Sequence, residues 1–227
     1  MSLITQRLAT IRQQLPPQVR LIAVTKQVSV DAMREAYAAG VRDFGESKVQ
    51  EAEAKVAQLA DLSDLNWHFI GHLQTNKAKK ALEIFNWIHT CDSLKLAQRL
   101  NRLATELSQQ PKVCLQVKLM PDANKFGWMA EELLGDLPEL AQCDALNFQG
   151  LMTILPVGLS ESESQALFSS CGELAEKIRA QNHTHLQQIS ELSMGMSGDY
   201  HLAVQAGATM VRLGTVIFGE RTAQSMG

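Results

Sequence analysis

Eight short apolar segments recur along the chain, and each of the first seven precedes a stretch with the spacing of an amphipathic helix. The strand candidates are 19–25, 42–45, 66–71, 86–91, 112–119, 148–154, 188–195 and 209–214. They are apolar on both faces, which is typical of strands in a buried parallel sheet. Eight β-then-α units favour an α/β fold in which the sheet closes into a barrel.

The chain length fits this interpretation, because (β/α)8 TIM barrels of about 250 residues fold as one unit. The 227 residues therefore predict a single barrel domain over 1–227, with an extra N-terminal helix at 2–14 in front of the first strand. An open doubly wound sheet remains the alternative, because the second strand candidate, at 42–45, is short.

Composition excludes several classes of partner. The formal net charge is −3 and the basic residues are scattered, whereas a nucleic-acid-binding face concentrates them. No apolar run approaches the roughly 20 residues that span a bilayer, and the N-terminus has helical spacing rather than the pattern of a signal peptide. The four cysteines form no CxxC pair and are predicted to be reduced, mostly buried thiols. We expect a cytoplasmic protein that binds neither nucleic acid nor membrane.

Lys26 ends the first strand candidate, in the sequence AVTK. Functional groups of a barrel lie at the C-terminal ends of its strands, where apolar neighbours disfavour a charged ammonium. A Schiff base needs the neutral amine, and neutralising a model lysine at pH 7 costs about 4–5 kcal/mol. Desolvation lowers that cost, so Lys26 is the candidate imine-forming residue.

Two loops near the end of the chain are candidates for binding a phosphate, because barrel phosphate sites favour the loops after strands seven and eight. The first is SMGMSGD at 193–199, which includes Met196 and in which Ser193 and Ser197 can donate hydroxyls beside converging backbone N–H groups. The second contains Gly214 and Thr215, which offer further N–H and hydroxyl donors. Taken alone, the first loop is more typical of a simple Gly/Ser turn than of a phosphate site.

Arg212 alternates with Val211 and Leu213 on the last strand candidate and is predicted to project into the barrel. A buried arginine is costly unless it meets a ligand or a carboxylate. Together with the lysine and the phosphate loops, this arginine outlines a site for a phosphorylated aldehyde. The sequences FGES at 44–47 and MTIL at 152–155 also end strand candidates and could line the same mouth.

His68 and His72 lie four residues apart, but a strand and the loop after it need not place both side chains on one face. Because no third Cys, His or carboxylate stands at ligand spacing, a zinc site is not expected. His68 is predicted to be a hydrogen-bonded core histidine.

The motifs that contain these residues resemble those of the YggS/PROSC family, the pyridoxal phosphate homeostasis proteins. They are IAVTK at 22–26, FGESKVQE at 44–51, WHFIGHLQTNK at 67–77, GLMT at 150–153, ELSMGMSGD at 191–199 and VRLGTVIFG at 211–219. The resemblance implies the barrel of the alanine racemase N-terminal domain, with pyridoxal 5′-phosphate (PLP) held as a Schiff base on Lys26.

The resemblance also implies phosphate contacts from Ser197, Gly214 and Thr215, and a contact of Arg212 with the pyridine nitrogen. One residue departs from the family pattern: Ser47 stands where the family usually has asparagine. Any contact that this asparagine makes near the cofactor ring is therefore in doubt for this chain.

The family resemblance further implies a role in vitamin B6 homeostasis and in amino- and keto-acid balance, without an established reaction. Arginine carries donors only, so the pyridine nitrogen would stay unprotonated and the cofactor would be a weaker electron sink. Racemisation also wants a second acid or base, and neither Tyr37 nor Tyr200 is a convincing one. We therefore predict a non-enzymatic carrier or regulator that buffers PLP or passes it to PLP-dependent apo-enzymes.

A monomer is expected, because the chain ends soon after the last strand candidate and the second domain of the racemases is missing. Two alternatives to the carrier remain. One is a weak PLP-dependent amino-acid racemase or lyase. The other is a cofactor-free aldolase in which Lys26 attacks a phosphorylated sugar.

Overall fold

The computed structural model describes residues 2–122 and 124–220. Its first element is the predicted N-terminal helix, α1 (Leu3–Gln14), whose apolar face is buried. The helix begins where the Ser2 hydroxyl accepts a hydrogen bond from the Thr5 N–H at 3.2 Å. A serine at this position satisfies one of the N–H groups that the first helical turn leaves unpaired.

The described residues contain nine parallel strands, and eight of them close into a barrel. They are β1 (Arg20–Val24), β2 (Asp43–Glu46), β3 (Asn66–Phe69), β4 (Trp87–Cys91), β5 (Lys112–Lys118), β6 (Trp128–Met129), β7 (Asn147–Thr153), β8 (Glu191–Ser193) and β9 (Met210–Leu213). The order around the ring is β4-β3-β2-β1-β9-β8-β7-β5, and pairing of β4 with β5 closes it. The predicted (β/α)8 barrel is confirmed, and the alternative of an open sheet is wrong.

A helix follows each barrel strand in the chain. These helices are α2 (Val30–Ala38), α3 (Val49–Gln58), α4 (Ala78–Ile84), α5 (Leu94–Glu106), α6 (Ala130–Leu140), α7 (Glu161–Ala180), α8 (Tyr200–Gln205) and α9 (Thr215–Phe218). Their buried apolar residues and the outward-facing residues of the strands form the main hydrophobic core.

Three local features differ from the sequence prediction. Strand β6, which pairs with the end of β5, is two residues long and too short to show a periodic pattern. Helix α9 is a single turn of four residues and shows none for the same reason. Strand β8 spans three residues rather than the predicted 188–195. It ends before Gly195, whose φ of 90° leaves the extended conformation.

The barrel interior contains a small apolar cluster that is separate from the main core. Its members are Ile22, Trp87, Cys114, Met152 and Met210. All four cysteines of the chain are buried and unpaired, as predicted. Across 2–122 and 124–220, no helix is both long and apolar enough to cross a membrane.

Candidate functional site

Lys26 lies at the C-terminal end of the barrel, just after β1, and its side chain is partly exposed. Strand β1 pairs with β9, where Ala23 stands opposite Leu213. Strand β9 pairs with β8 through Met210 and Ser193. The loops that follow β8, β9 and β1 are therefore consecutive around one mouth of the barrel. The predicted lysine and both predicted phosphate loops share this mouth.

The residue before Lys26 is held by a buried ionic cluster. The Thr25 hydroxyl donates to Glu46 Oε1 at 2.7 Å, and Lys55 Nζ donates to the Thr25 carbonyl at 2.6 Å and to Glu46 Oε1 at 2.8 Å. Burial raises the pKa of Glu46, and the nearby Lys55 ammonium partly offsets this. The other carboxylate oxygen, Glu46 Oε2, is buried and has no hydrogen-bond partner among the described residues.

Helix α3, which contains Lys55, also holds Gln27, the residue after Lys26. The Gln27 N–H donates to Glu51 Oε1 at 2.5 Å, and the Lys55 ammonium lies 2.7 Å from the same oxygen. Although burial opposes ionisation, these hydrogen bonds lower the pKa of Glu51. Gln27 has a φ of 60°, which is uncommon for a residue other than glycine. The backbone on both sides of Lys26 is thus anchored to β2 and α3.

The two phosphate-loop candidates touch each other. Ser197 Oγ accepts a hydrogen bond from the Gly214 N–H at 3.3 Å, and the next residue, Thr215, begins α9 and is exposed. Ser197, Gly214 and Thr215 therefore gather in one place. Met196 is 38% exposed in the same loop, but its N–H already donates to Asp199 Oδ1 at 2.6 Å.

Gly195 fixes the shape of the loop after β8. Its φ is 90°, and a Cβ at this position would lie 2.6 Å from the Ala203 Cβ and 2.9 Å from the Tyr200 Cα. Only glycine fits so close to α8 in this conformation. The Gly195 carbonyl also accepts from the Arg212 N–H at 3.0 Å, which ties the loop to β9.

Arg212 is buried inside the barrel, as its alternation with apolar residues predicted, and is 3% exposed. Its guanidinium donates to Ser193 Oγ and to the Thr153 carbonyl, both at 2.8 Å. Burial lowers the pKa of Arg212 to about 10, with a smaller opposing effect of Asp199. The side chain therefore remains a cation at neutral pH although both of these hydrogen-bond partners are neutral.

Ser193 occupies a different environment from Ser197. It is fully buried, and its hydroxyl lies 2.8 Å from His89 Nδ1 as well as accepting from Arg212. The structure thus brings Ser197 together with Gly214 but engages the Ser193 hydroxyl in the barrel interior.

His68 is fully buried and hydrogen-bonded, as predicted for a core histidine. Its Nε2 lies 2.9 Å from Asp43 Oδ1 and its Nδ1 lies 2.9 Å from His89 Nε2. His72 instead pairs with Asp92 at 2.9 Å, so the two histidines that lie four residues apart in the sequence do not share a site. Within the described part of the chain, no group of three or more His, Cys, Asp or Glu could hold a metal ion.

Comparison with known proteins places this barrel in a family. The protein-family model for the alanine racemase N-terminal domain matches residues 1–222 of the sequence. A pyridoxal phosphate homeostasis protein of Synechocystis sp. is 53% identical over 207 residues, which are 91% of this chain and 94% of that protein. The chain belongs to the YggS/PROSC family of pyridoxal phosphate homeostasis proteins.

Solved structures of a related protein extend the family assignment to three dimensions. PipY of Synechococcus elongatus is 54% identical, and the match covers 95% of this chain and 100% of that chain. The TM-score is 0.92 for the structure without PLP and 0.90 for the structure with PLP bound. The barrel described above is therefore the fold of a YggS/PROSC family protein over nearly its whole length.

Proposed function

We propose that this protein holds PLP as a Schiff base on Lys26 and serves vitamin B6 homeostasis, and with it the balance of amino and keto acids, as a carrier. The observation that carries the proposal is the arrangement of one mouth of the barrel. The loops after β1, β8 and β9 present Lys26, the Ser197–Gly214 pair and Thr215. The buried Arg212 lies on β9, between β1 and β8. PipY, which shares this fold, has been solved with PLP bound.

In this proposal Lys26 supplies the covalent link. Its neutral amine condenses with the cofactor aldehyde, the C=N bond forms and one water molecule leaves. The anchored backbone at Thr25 and Gln27 keeps the lysine in one position at the mouth. Such fixed positioning lowers the entropic cost of forming the link.

Ser197, Gly214 and Thr215 are proposed to bind the phosphate. The Gly214 N–H donates to Ser197 Oγ at 3.3 Å, so an anion bound here would accept from the Ser197 O–H and replace Ser197 Oγ as the acceptor of this long hydrogen bond. Backbone N–H groups of small residues and a hydroxyl at a helix start are typical donors to a phosphate in barrels. We propose that Met196 borders the phosphate with its exposed side chain, because its N–H is engaged by Asp199.

Arg212 is proposed to face the pyridine nitrogen, and Ser193 to act through Arg212. A guanidinium donates only, so the ring nitrogen that accepts from it carries no proton of its own. When bound, PLP can act as an electron sink for amino-acid chemistry, and an unprotonated ring nitrogen weakens that ability. Ser193 on β8 and the Thr153 carbonyl on the neighbouring strand β7 hold the guanidinium by hydrogen bonds.

The positions of the two tyrosines favour a carrier over a racemase. The Tyr37 hydroxyl donates to Asp64 at 2.7 Å, and the Tyr200 hydroxyl donates to Gln14, on the N-terminal helix, at 2.6 Å. Neither phenol is therefore free to act as the second acid or base that racemisation needs. We propose that the protein is a monomer and that PLP-dependent apo-enzymes are its recipients.

Titration of the apo-protein with PLP, followed by absorbance, tests the binding proposal. We expect saturable uptake of one PLP per chain and a yellow protein. A protein that stays colourless and takes up no PLP would contradict the proposal and favour the cofactor-free aldolase.

Turnover assays with a panel of amino acids separate the carrier from a weak racemase or lyase. The carrier predicts no difference between the wild type and Lys26→Ala above background. Saturable product formation that disappears in Lys26→Ala would establish an enzyme instead.

A further inference from the structure

A chain of hydrogen bonds crosses the barrel interior from the end where the strands start to Arg212. It begins at Asp43, the first residue of β2, whose Oδ1 lies 2.9 Å from His68 Nε2. His68 Nδ1 lies 2.9 Å from His89 Nε2, and His89 Nδ1 lies 2.8 Å from Ser193 Oγ. Ser193 Oγ in turn accepts from the Arg212 guanidinium at 2.8 Å.

The two ends of this chain determine its direction. An ionised carboxylate only accepts hydrogen bonds, a guanidinium only donates them, and a neutral imidazole has one donor and one acceptor nitrogen. His68 must therefore donate from Nε2 to Asp43 and accept at Nδ1, which requires His89 to donate from its own Nε2. His89 Nδ1 then accepts the Ser193 hydroxyl proton, and a Ser193 lone pair faces Arg212. One arrangement of protons satisfies every contact.

This order of protons holds when both imidazoles are neutral, and their surroundings favour the neutral form. His68 and His89 are fully buried. Burial lowers the pKa of both, and the neighbouring His68, Arg212 and Arg20 lower the pKa of His89 further. Asp43 acts in the opposite direction on His68, but the effect of burial is larger.

We infer that Asp43, His68 and His89 are positioning residues, which orient the Ser193 hydroxyl and thereby hold the Arg212 guanidinium in one orientation. The last link, from the guanidinium to the cofactor ring, rests on the proposed function. The side chain of Asp43 is 16% exposed and borders a cavity of about 420 Å³ at the end of the barrel opposite Lys26. A substitution there is therefore remote from every proposed cofactor contact.

The first test uses the apo-protein and nitrogen NMR of the histidine rings. We expect both His68 and His89 to be neutral with the proton on Nε2 at pH 7. In Asp43→Asn the amide can donate as well as accept, so the reverse order becomes available and both rings populate the Nδ1 tautomer. The matched control is Glu191→Gln, which removes a carboxylate at the same end of the barrel. Glu191 accepts from the Thr209 hydroxyl and takes no part in the hydrogen bonds from Asp43 to Arg212, so this variant keeps the wild-type tautomers.

The second test measures PLP in the same variants. We expect Asp43→Asn to shift the absorption spectrum of bound PLP and to weaken its retention by about two- to tenfold, the range for one weakened hydrogen bond. Asp43→Glu retains an acceptor and restores the wild-type spectrum. Glu191→Gln leaves both the spectrum and the retention unchanged.

Several results would overturn the inference. A charged His89, or a proton on its Nδ1 in the wild type, would break the proposed order, and this measurement needs no variant. Unchanged tautomers in Asp43→Asn would remove Asp43 from the control of the chain. Changed tautomers with an unchanged PLP spectrum, or an equal effect of Glu191→Gln, would remove its link to the cofactor. Failure of the wild type to take up PLP would contradict the proposed function and leave the NMR result intact.

Discussion

The ammonium nitrogen of Lys55 lies 2.6 Å from the carbonyl oxygen of Thr25, the residue before Lys26. The same ammonium is 2.8 Å from Glu46, whose side chain is fully buried. Helix α3 thus both neutralises a carboxylate inside the fold and anchors the strand end that carries the candidate imine lysine. If Lys26 holds PLP as proposed, stability and cofactor retention are coupled through this one side chain.

Lys55→Met should therefore be strongly destabilising. Removing one partner of a buried ion pair leaves the other uncompensated and costs about 3–5 kcal/mol of unfolding free energy. Denaturant unfolding measures this loss. The control is Lys80→Met, which removes the ion pairs of a half-exposed lysine with Glu53 and Glu83 and should cost at most about 1 kcal/mol. Adding Glu46→Gln to Lys55→Met should recover part of the stability, and equal losses in the two single lysine variants would contradict this account.

Ser197→Ala should weaken binding of PLP but not of pyridoxal, which lacks the phosphate. A hydrogen bond to a charged group contributes about 1.5–3 kcal/mol, so the dissociation constant of PLP should rise by roughly 10- to 100-fold. Spectral titration with both ligands measures the difference. An equal loss of affinity for the two ligands would place Ser197 away from the phosphate.

Arg212→Gln should weaken PLP retention, because it removes the charged donor proposed for the ring nitrogen. Spectral titration of the apo variant measures the affinity, and a loss of roughly tenfold or more is expected for a charged hydrogen bond. The matched variant Arg212→Lys keeps the charge and should lose less. An affinity equal to that of the wild type would show that Arg212 has a structural role alone.

Stability should decrease as the pH falls below 6.5, the ordinary pKa of histidine. Burial lowers the pKa of His68 and His89 in the folded protein, so the unfolded chain binds protons first. The contribution of the two neutral histidines to stability is complete above this pH. As the pH falls from 6.5 towards the folded-state pKa, the unfolding free energy decreases by about 1.4 kcal/mol per pH unit for each histidine.

His89→Gln tests the source of this pH dependence. The variant removes one of the two buried rings, so the slope of unfolding free energy against pH between 6.5 and the folded-state pKa should fall by about half. Urea unfolding at several pH values measures the slope. A slope that matches the wild type would show that other groups cause the dependence.

The sequence was sufficient to predict the barrel, because eight apolar segments followed by helical spacing leave few other arrangements. It also predicted that Lys26, Ser197 and Gly214 lie at one mouth, since parallel strands all end on the same side. The two loops that are distant from Lys26 in sequence share its mouth of the barrel, because β9 pairs with β1 and β8 pairs with β9.

The supporting residues could not be predicted in the same way. Lys55 and Glu51 are charged residues of a helix, and such side chains usually face solvent. Only the packing of α3 against the end of β1 brings them to Thr25 and Gln27. The chain from Asp43 to Ser193 depends on the alignment of separate strands around the barrel, which no local pattern encodes. For His89, the signal available was its place in an apolar strand, where an unpaired polar ring is costly.

Borohydride reduction of the PLP-loaded protein, followed by peptide mass mapping, tests the central claim most directly. Reduction converts the Schiff base into a stable secondary amine. We predict one PLP adduct per chain, on the peptide that contains Lys26, and no adduct in Lys26→Ala. An adduct of equal yield on another lysine, or its persistence in Lys26→Ala, would contradict the assignment of Lys26 as the residue that holds the cofactor.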